Sequence, residues 1–160
     1  MAVDMFLKVD DIKGESQDDK HKDEIDVLSW SWGVSQSGTM HSGGGGGAGK
    51  ASFKDLSVTK WVDMASPKLL SAASTGKHIK EALLTVRKAG EKPLEYIKIT
   101  LNDCLISSVS DGGSGGEDRL TENVTINFAK VKFEYTVQKA DGSAGGVMPF
   151  GFDIKANKPS

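Results

Sequence analysis

Several stretches of this chain carry residue types at spacings that chemistry uses, and each lacks a necessary part. Gly44 to Lys50 matches G-x-x-x-x-G-K, the frame of a phosphate-cradling loop. The next residue is Ala51, where the Mg²⁺-holding hydroxyl of Ser or Thr belongs. A strand-like run follows, although phosphate binding needs a helix N-terminus there. Gly112-Gly113-Ser114-Gly115-Gly116 matches G-x-S-x-G, but a nucleophile elbow is a tight strand-to-helix turn, and nothing helical follows this serine. His21, His41 and His78 fit no metal-ligand spacing and read as exposed loop or cap residues. The carboxylates from Asp10 to Asp26 miss the calcium-loop spacing, and Lys13, Lys20 and Lys22 neutralise them into a solvated face. Cys104, amid Leu101, Leu105 and Ile106, reads as a small core residue. The sequence therefore predicts no catalytic, cofactor-binding or metal-ligating residue and no cofactor, so an enzyme is not expected.

The elements around these stretches are mostly strands. Val3, Met5, Leu7 and Val9 alternate with Asp4, Phe6 and Lys8, which predicts a half-buried strand. Leu28, Trp30, Trp32 and Val34 alternate with Ser29, Ser31, Gly33 and Ser35, so the tryptophan face is expected to anchor a core. Between these two runs, residues 10–26 read as a long surface loop. Ser42 to Gly49 is nearly all glycine and loses too much chain entropy on ordering to form a regular element. It reads as a long tip between strands, the second starting near Ala51 and carrying Phe53, Leu56, Val58 and Trp61.

Ser66 and Pro67 suit the N-cap and first position of a helix that Gly76 ends, with Leu69, Ala72 and Ala73 on one face. Residues 77–88 fit helix or strand equally by pattern. Tyr96 to Val109 predicts a strand or two. Val124, Ile126 and Phe128 alternate in one phase and Val131, Phe133, Tyr135 and Val137 in the other, so a bulge or bend is expected at Ala129-Lys130. Phe150, Phe152 and Ile154 close the chain as a last strand. The expected fold is mainly β, a closed antiparallel barrel with one short α-helix at about residues 66–76 and long Gly-rich loops. Its 160 residues suit one domain, residues 1–160.

The bulk numbers exclude several roles. Lys plus Arg is 20 and Asp plus Glu is 22, a net charge of −2 with scattered basic residues such as Lys50, Lys60, Arg87 and Lys132. Nucleic acid is therefore not expected as a partner. No stretch approaches the ~20 apolar residues of a membrane span, so no membrane insertion is expected. The N-terminus has no basic stretch followed by an apolar run, so no signal peptide is expected. Two roles survive, a self-assembling structural protein and, as the alternative, a small-ligand-binding β-barrel.

Several segments are distinctive when taken together in order. Met5-Phe6-Leu7-Lys8-Val9 is followed by Gly14-Glu15-Ser16, His21, and the run Glu24-Ile25-Asp26-Val27-Leu28-Ser29-Trp30-Ser31-Trp32-Gly33. Asp63, Ser66-Pro67-Lys68-Leu69-Leu70 and Gly76-Lys77-His78-Ile79 come next, and Glu122 to Val131 completes the set. In this order and spacing the chain resembles the Hcp (haemolysin-coregulated protein) family of bacterial type VI secretion systems. The resemblance implies a β-barrel with one helix, assembled as a homohexameric ring, and assigns residues 77–88 to a strand. It further implies that rings stack into a tube inside a contractile sheath, under a VgrG spike protein, and that the lumen holds and protects effector proteins before export. The expected location is the cytoplasm before firing, then outside the cell. Within that frame, Ser29 and Ser31 are candidates for the lumen wall and effector contact. Gly43, Gly44, Gly45, Gly46 and Gly47 are candidates for ring stacking. Ala72 and Ala73 are candidates for a subunit contact.

Overall fold

A computed structural model describes residues 3–38, 40–41 and 49–160. Among them, β1 (Val3–Val9), β2 (Ile25–Ser31), β5 (Leu56–Trp61), β6 (Ile79–Lys88), β7 (Leu94–Asp111) and β8 (Thr121–Gln138) form a barrel. Its strands run in the order β8-β5-β2-β1-β6-β7, every pair antiparallel, and β7 pairs with β8 to close the circle. Closure leaves no free edge in the ring of strands, as the sequence led us to expect. Leu7, Ile25, Leu56, Leu84, Ile99 and Ile126 meet inside, each fully buried. The inner positions are thus filled by branched side chains.

A short hairpin, β3 (Val34–Ser35) with β4 (Ser52–Phe53), stands beside the barrel. Beyond it, β9 (Ala144–Asp153) pairs with the second half of β8, and β10 (Lys158–Pro159) pairs with Phe152 and Asp153.

β8 is one continuous strand whose buried positions change phase. Glu122, Val124, Ile126 and Phe128 are buried, then Val131. β7 changes phase opposite, from Ile99 and Leu101 to Cys104 and Ile106, with Asp103 at a φ of 53°. Because both strands slip together, Leu101 still faces Val131 and Cys104 still faces Phe128. Here β8 exchanges its neighbour, pairing with β5 up to Ile126 and with β9 from Lys130.

Among the described residues the one α-helix, α1, spans Ser66–Thr75 and buries Leu69 and Ala72. Gly76 ends it with a φ of 65°, a left-handed cap that other residues rarely adopt. The N-cap is Ala65, one residue earlier than the sequence suggests, and Asp63 Oδ1 accepts its N–H at 2.9 Å. Ser66 therefore lies inside the first turn, and its hydroxyl is engaged elsewhere. Residues 77–88 hold β6, as the family resemblance implies.

Two expectations need correction. The register of β2 against β5 shifts between Val27 and Ser29, so Leu28 sits at a bulge and is exposed. The deep core contribution of β2 comes from Ile25 and Val27, while Trp30 and Trp32 pack on the core only half-buried. Alternation alone cannot see a bulge, because one inserted residue inverts the parity after it. The stretch between β1 and β2 is also no mere solvated loop. Ile12, Gly14, Ser16 and His21 are buried there, and the segment covers the outer side of Phe6.

Candidate functional site

The lumen candidates Ser29 and Ser31 lie on the outer surface of the barrel, both exposed. Trp30, between them, turns toward the core, so alternation sends the two serines outward. Strand pairing extends each into a row across four strands. Ser29 faces Thr59, Thr59 faces Asn123, and Asn123 faces Ser110. Ser31 faces Ser57, Ser57 faces Thr125, and Thr125 faces Ser108. Thr59 Oγ1 donates to Asn123 Oδ1 at 2.7 Å. Ser107 Oγ lies 2.6 Å from Thr125 Oγ1 and 2.6 Å from Asp55 Oδ2, and Asn127 Nδ2 donates to Asp55 Oδ1 at 2.9 Å. The result is a broad face of mostly short polar side chains, part of which hydrogen-bond to one another.

The helix candidates separate. Ala72 is buried against its own barrel and Ala73 is half-buried, while Pro67, Leu70, Ser71 and Ser74 face outward. The stacking candidates Gly43 to Gly47 lie outside the described residues, as does most of the phosphate-loop pattern. Ser114 of the G-x-S-x-G pattern sits exposed in the turn between β7 and β8, with a strand rather than a helix after it. Among the described residues, no group of three or more His, Cys, Asp or Glu side chains is placed to hold a metal ion. Cys104 is buried, and burial pushes its thiol up to about 12, so it stays protonated and inert.

The scaffold contains two ionic clusters. Lys60 and Glu122 are fully buried and form an ion pair. The Lys60 ammonium also donates to Asp63 Oδ1 at 2.8 Å and to the Trp61 carbonyl at 2.8 Å. Ser66 Oγ donates to Glu122 Oε1 at 2.5 Å, so the cluster joins β5, β8 and the start of α1. Burial works to raise the Glu122 carboxyl. Hydrogen bonds from Asp111, Lys60 and Ser66 outweigh it and hold the group below its usual value. Asp111 moves the other way, raised by its hydrogen bond to Glu122 and then by burial.

The second cluster pins residues 10–24. Arg87 donates to Asp18 at 2.9 and 2.6 Å and to Asp4 at 3.1 Å. That guanidinium hydrogen bond takes Asp18 down to about 2. The His21 ring stacks on Phe6 at 4.4 Å, with its nitrogens 3.0 Å from Glu24 Oε2 and 2.7 Å from Glu95 Oε2. His21 is thus buried, not the exposed loop residue expected. His41 and His78 are exposed as expected.

The sequence did hold a signal for the first cluster. Lys60 continues the period of Leu56 and Val58, and Glu122 that of Val124 and Ile126, so both fall on core-facing positions. For His21 there was none, because its partners come from Glu24 nearby and Glu95 far along the chain.

Comparison with known proteins bears directly on this scaffold. A family profile described as "Type VI secretion system effector, Hcp" matches residues 6–135. The chain belongs to the Hcp family. The "Protein hcp1" of Pseudomonas aeruginosa is 61% identical over 159 residues, 98% of each chain. Hcp1 from Salmonella typhimurium is 43% identical, covers 100% of both chains, and superposes with a TM-score of 0.82. A structure described as a type six secretion system protein is 37% identical, covers 99% of this chain and 100% of its own, and reaches a TM-score of 0.94. The chain is therefore a type VI secretion protein of the Hcp kind, and its secretion follows from that membership. The fold is shared along the whole chain with these two solved structures.

Proposed function

We propose that this chain is the repeating subunit of a type VI secretion tube, a structural part that carries cargo and catalyses nothing. Six copies close into a ring, and rings stack inside a contractile sheath beneath a VgrG spike. The tube loads in the cytoplasm and leaves the cell when the sheath fires. The observation that carries this reading, beyond membership of the family, is the short-side-chain polar face on β2, β5, β8 and β7. A lumen wall has to release effector proteins, and Ser29 and Ser31 sit on the β2 side of a surface made mainly of short polar side chains, which gives little to trap them. The alternative of a small-ligand barrel needs an open interior, whereas here Leu7, Ile25, Leu56, Ile99 and Ile126 occupy it. Gly43 to Gly47 remain the candidates for contact between rings.

Light scattering and negative-stain microscopy of the purified chain test the reading. Rings of about six copies are expected, because cyclic closure leaves no free interface. A strict monomer at high concentration would falsify it.

A further inference from the structure

Residues 10–24 form a strap over the outer side of Phe6, and its backbone braces itself. Gly14 N–H donates to the Asp23 carbonyl at 2.8 Å, Ser16 N–H to the Glu24 carbonyl at 2.9 Å and Asp23 N–H to the Ser16 carbonyl at 2.9 Å. A Cβ at Gly14 would lie 2.6 Å from the Glu24 carbonyl oxygen, so the two limbs touch backbone to backbone. One limb reaches the turn before α1, where Glu15 Oε2 accepts the Met64 N–H at 2.6 Å. The other reaches β7 through His21, whose Nε2 lies 2.7 Å from Glu95 Oε2.

The setting of His21 makes a demand on protons. Its side chain is 9% exposed, and both nitrogens face carboxyl oxygens, with Nδ1 3.0 Å from Glu24 Oε2. A neutral imidazole has one N–H and one bare nitrogen, and only the charged ring has two donors. Glu95 does not supply the missing proton. Burial works to raise its carboxyl, but the hydrogen bond and charge of His21, helped by Lys98, hold it below its usual value. The surrounding charges also favour a cation at the ring. Asp18 and Glu24 on the strap, Asp4 on β1, Asp26 across from Phe6 on β2 and Glu95 on β7 stand against Arg87 on β6 and Lys98 on β7. Lys20 and Lys22, beside His21 in the strap, are exposed to solvent.

We propose that His21 is a proton-operated latch, which holds residues 10–24 to β7 while both ring nitrogens are protonated and lets go when one proton leaves. A neutral ring would turn a bare nitrogen toward a carboxylate, setting lone pair against lone pair in a site with little water. Gly14 and Ser16 bond to Asp23 and Glu24, so what moves Glu24 also moves Glu15 and its hold on Met64. Arg87 keeps its grip on Asp18 throughout, so the strap loosens without leaving the barrel. The sign follows from both partners. The hold is present above the ordinary carboxylate range, because Glu95 stays ionised there, and it is lost as pH rises through the titration of the ring. A change of pH thereby reaches the start of α1 without touching the barrel core.

Hydrogen–deuterium exchange read by mass spectrometry tests the latch on the full chain, in rings and single copies alike. Exchange at the imidazole C2 carbon follows the titration of the ring, and amide protection in residues 10–24 and at Met64 follows the strap. In the unaltered chain that protection should fall roughly tenfold over the pH interval in which His21 loses its proton, the scale of one charge-assisted hydrogen bond. Glu95→Gln gives Nε2 a partner that can accept or donate, so the step should shrink. His21→Gln cannot titrate and should show no step, which also separates His21 from the exposed His41 and His78. Either variant decides the matter if the other does not fold. A ring that titrates while the strap and Met64 stay protected overturns the latch. A full step that persists in Glu95→Gln or in His21→Gln belongs to another group and overturns it as well.

Discussion

The helix and the loop of residues 10–24 are both held on the barrel by charge, in opposite settings. Lys60 and Glu122 lie wholly out of water, between β5, β8 and α1. The second cluster lies nearer to solvent: Arg87 and His21 are themselves buried, but Asp18 keeps 24% of its side chain exposed and Asp4 50%. A buried pair has no solvent to replace a lost partner, whereas a surface pair does. The two ties therefore differ less in how strongly they hold than in what happens when one member is removed.

The largest effect should come from breaking the buried tie on one side. Lys60→Met leaves Glu122 as an uncompensated buried carboxylate and should cost roughly 3–5 kcal/mol of unfolding free energy. Urea denaturation measures it. The double change Lys60→Met with Glu122→Leu removes both charges and should recover most of that loss, because a buried pair replaced by apolar groups is often near neutral. A double variant no more stable than Lys60→Met alone would mean that Ser66 and Asp63 depend on the charges for their placement.

The surface tie should break more gently. Asp18→Asn keeps the side-chain shape but removes the charge that Arg87 grips, and should cost about 1 kcal/mol, discounted for the water already present. Its pH dependence follows from the depressed carboxyl. Asp18 titrates at about 2 in the folded chain, against an ordinary value near ~3.9. Its contribution is thus complete above about pH 4 and is lost as pH falls toward 2. Stability measured from pH 6 to pH 2 should drop less steeply in Asp18→Asn than in the unaltered chain. Parallel curves would show that another carboxylate sets the acid limb.

How far each tie could be read from the sequence differs for the same physical reason. Strand period is local, so Leu56-Val58-Lys60 and Glu122-Val124-Ile126 each mark a core-facing row that ends in a charge. The barrel class, the helix near residues 66–76 and the slip in β8 are equally local patterns, and the structure has all three. Residues 77–88 were ambiguous by pattern and became a strand only through the family resemblance. What stayed hidden depends on contacts across the chain. Phe6 alternates as an outward residue, yet it is buried because residues 10–24 return over it and set His21 against its ring. The bulge at Leu28 likewise appears only once β2 is laid beside β5. The serine face was legible as one strand's outer side. Its extension through Thr59, Asn123, Ser57 and Thr125 needed the pairing of four strands.

At the far end of the same scale lies that serine face, which holds no segment on the barrel and should contribute almost nothing to stability. Ser31 is exposed, faces Ser57, and has no charge to leave unpaired. Ser31→Gln should therefore shift unfolding by no more than ~0.5 kcal/mol, the usual range for a surface change away from caps and cores. Its effect should appear in cargo instead. The longer side chain stands above a surface of short hydroxyls and keeps a partner protein from approaching the sheet. Recovery of a cognate effector with the rings should fall several-fold, while ring size stays unchanged. Ser29→Gln should act in the same direction, because it lies two residues away on the same side and faces Thr59. Co-purification of the effector with each variant, alongside light scattering, reads both quantities from one preparation. Intact rings with undiminished effector would remove Ser29 and Ser31 from the cargo surface. A loss of stability near that of Asp18→Asn would instead place these serines among the groups that hold the barrel together.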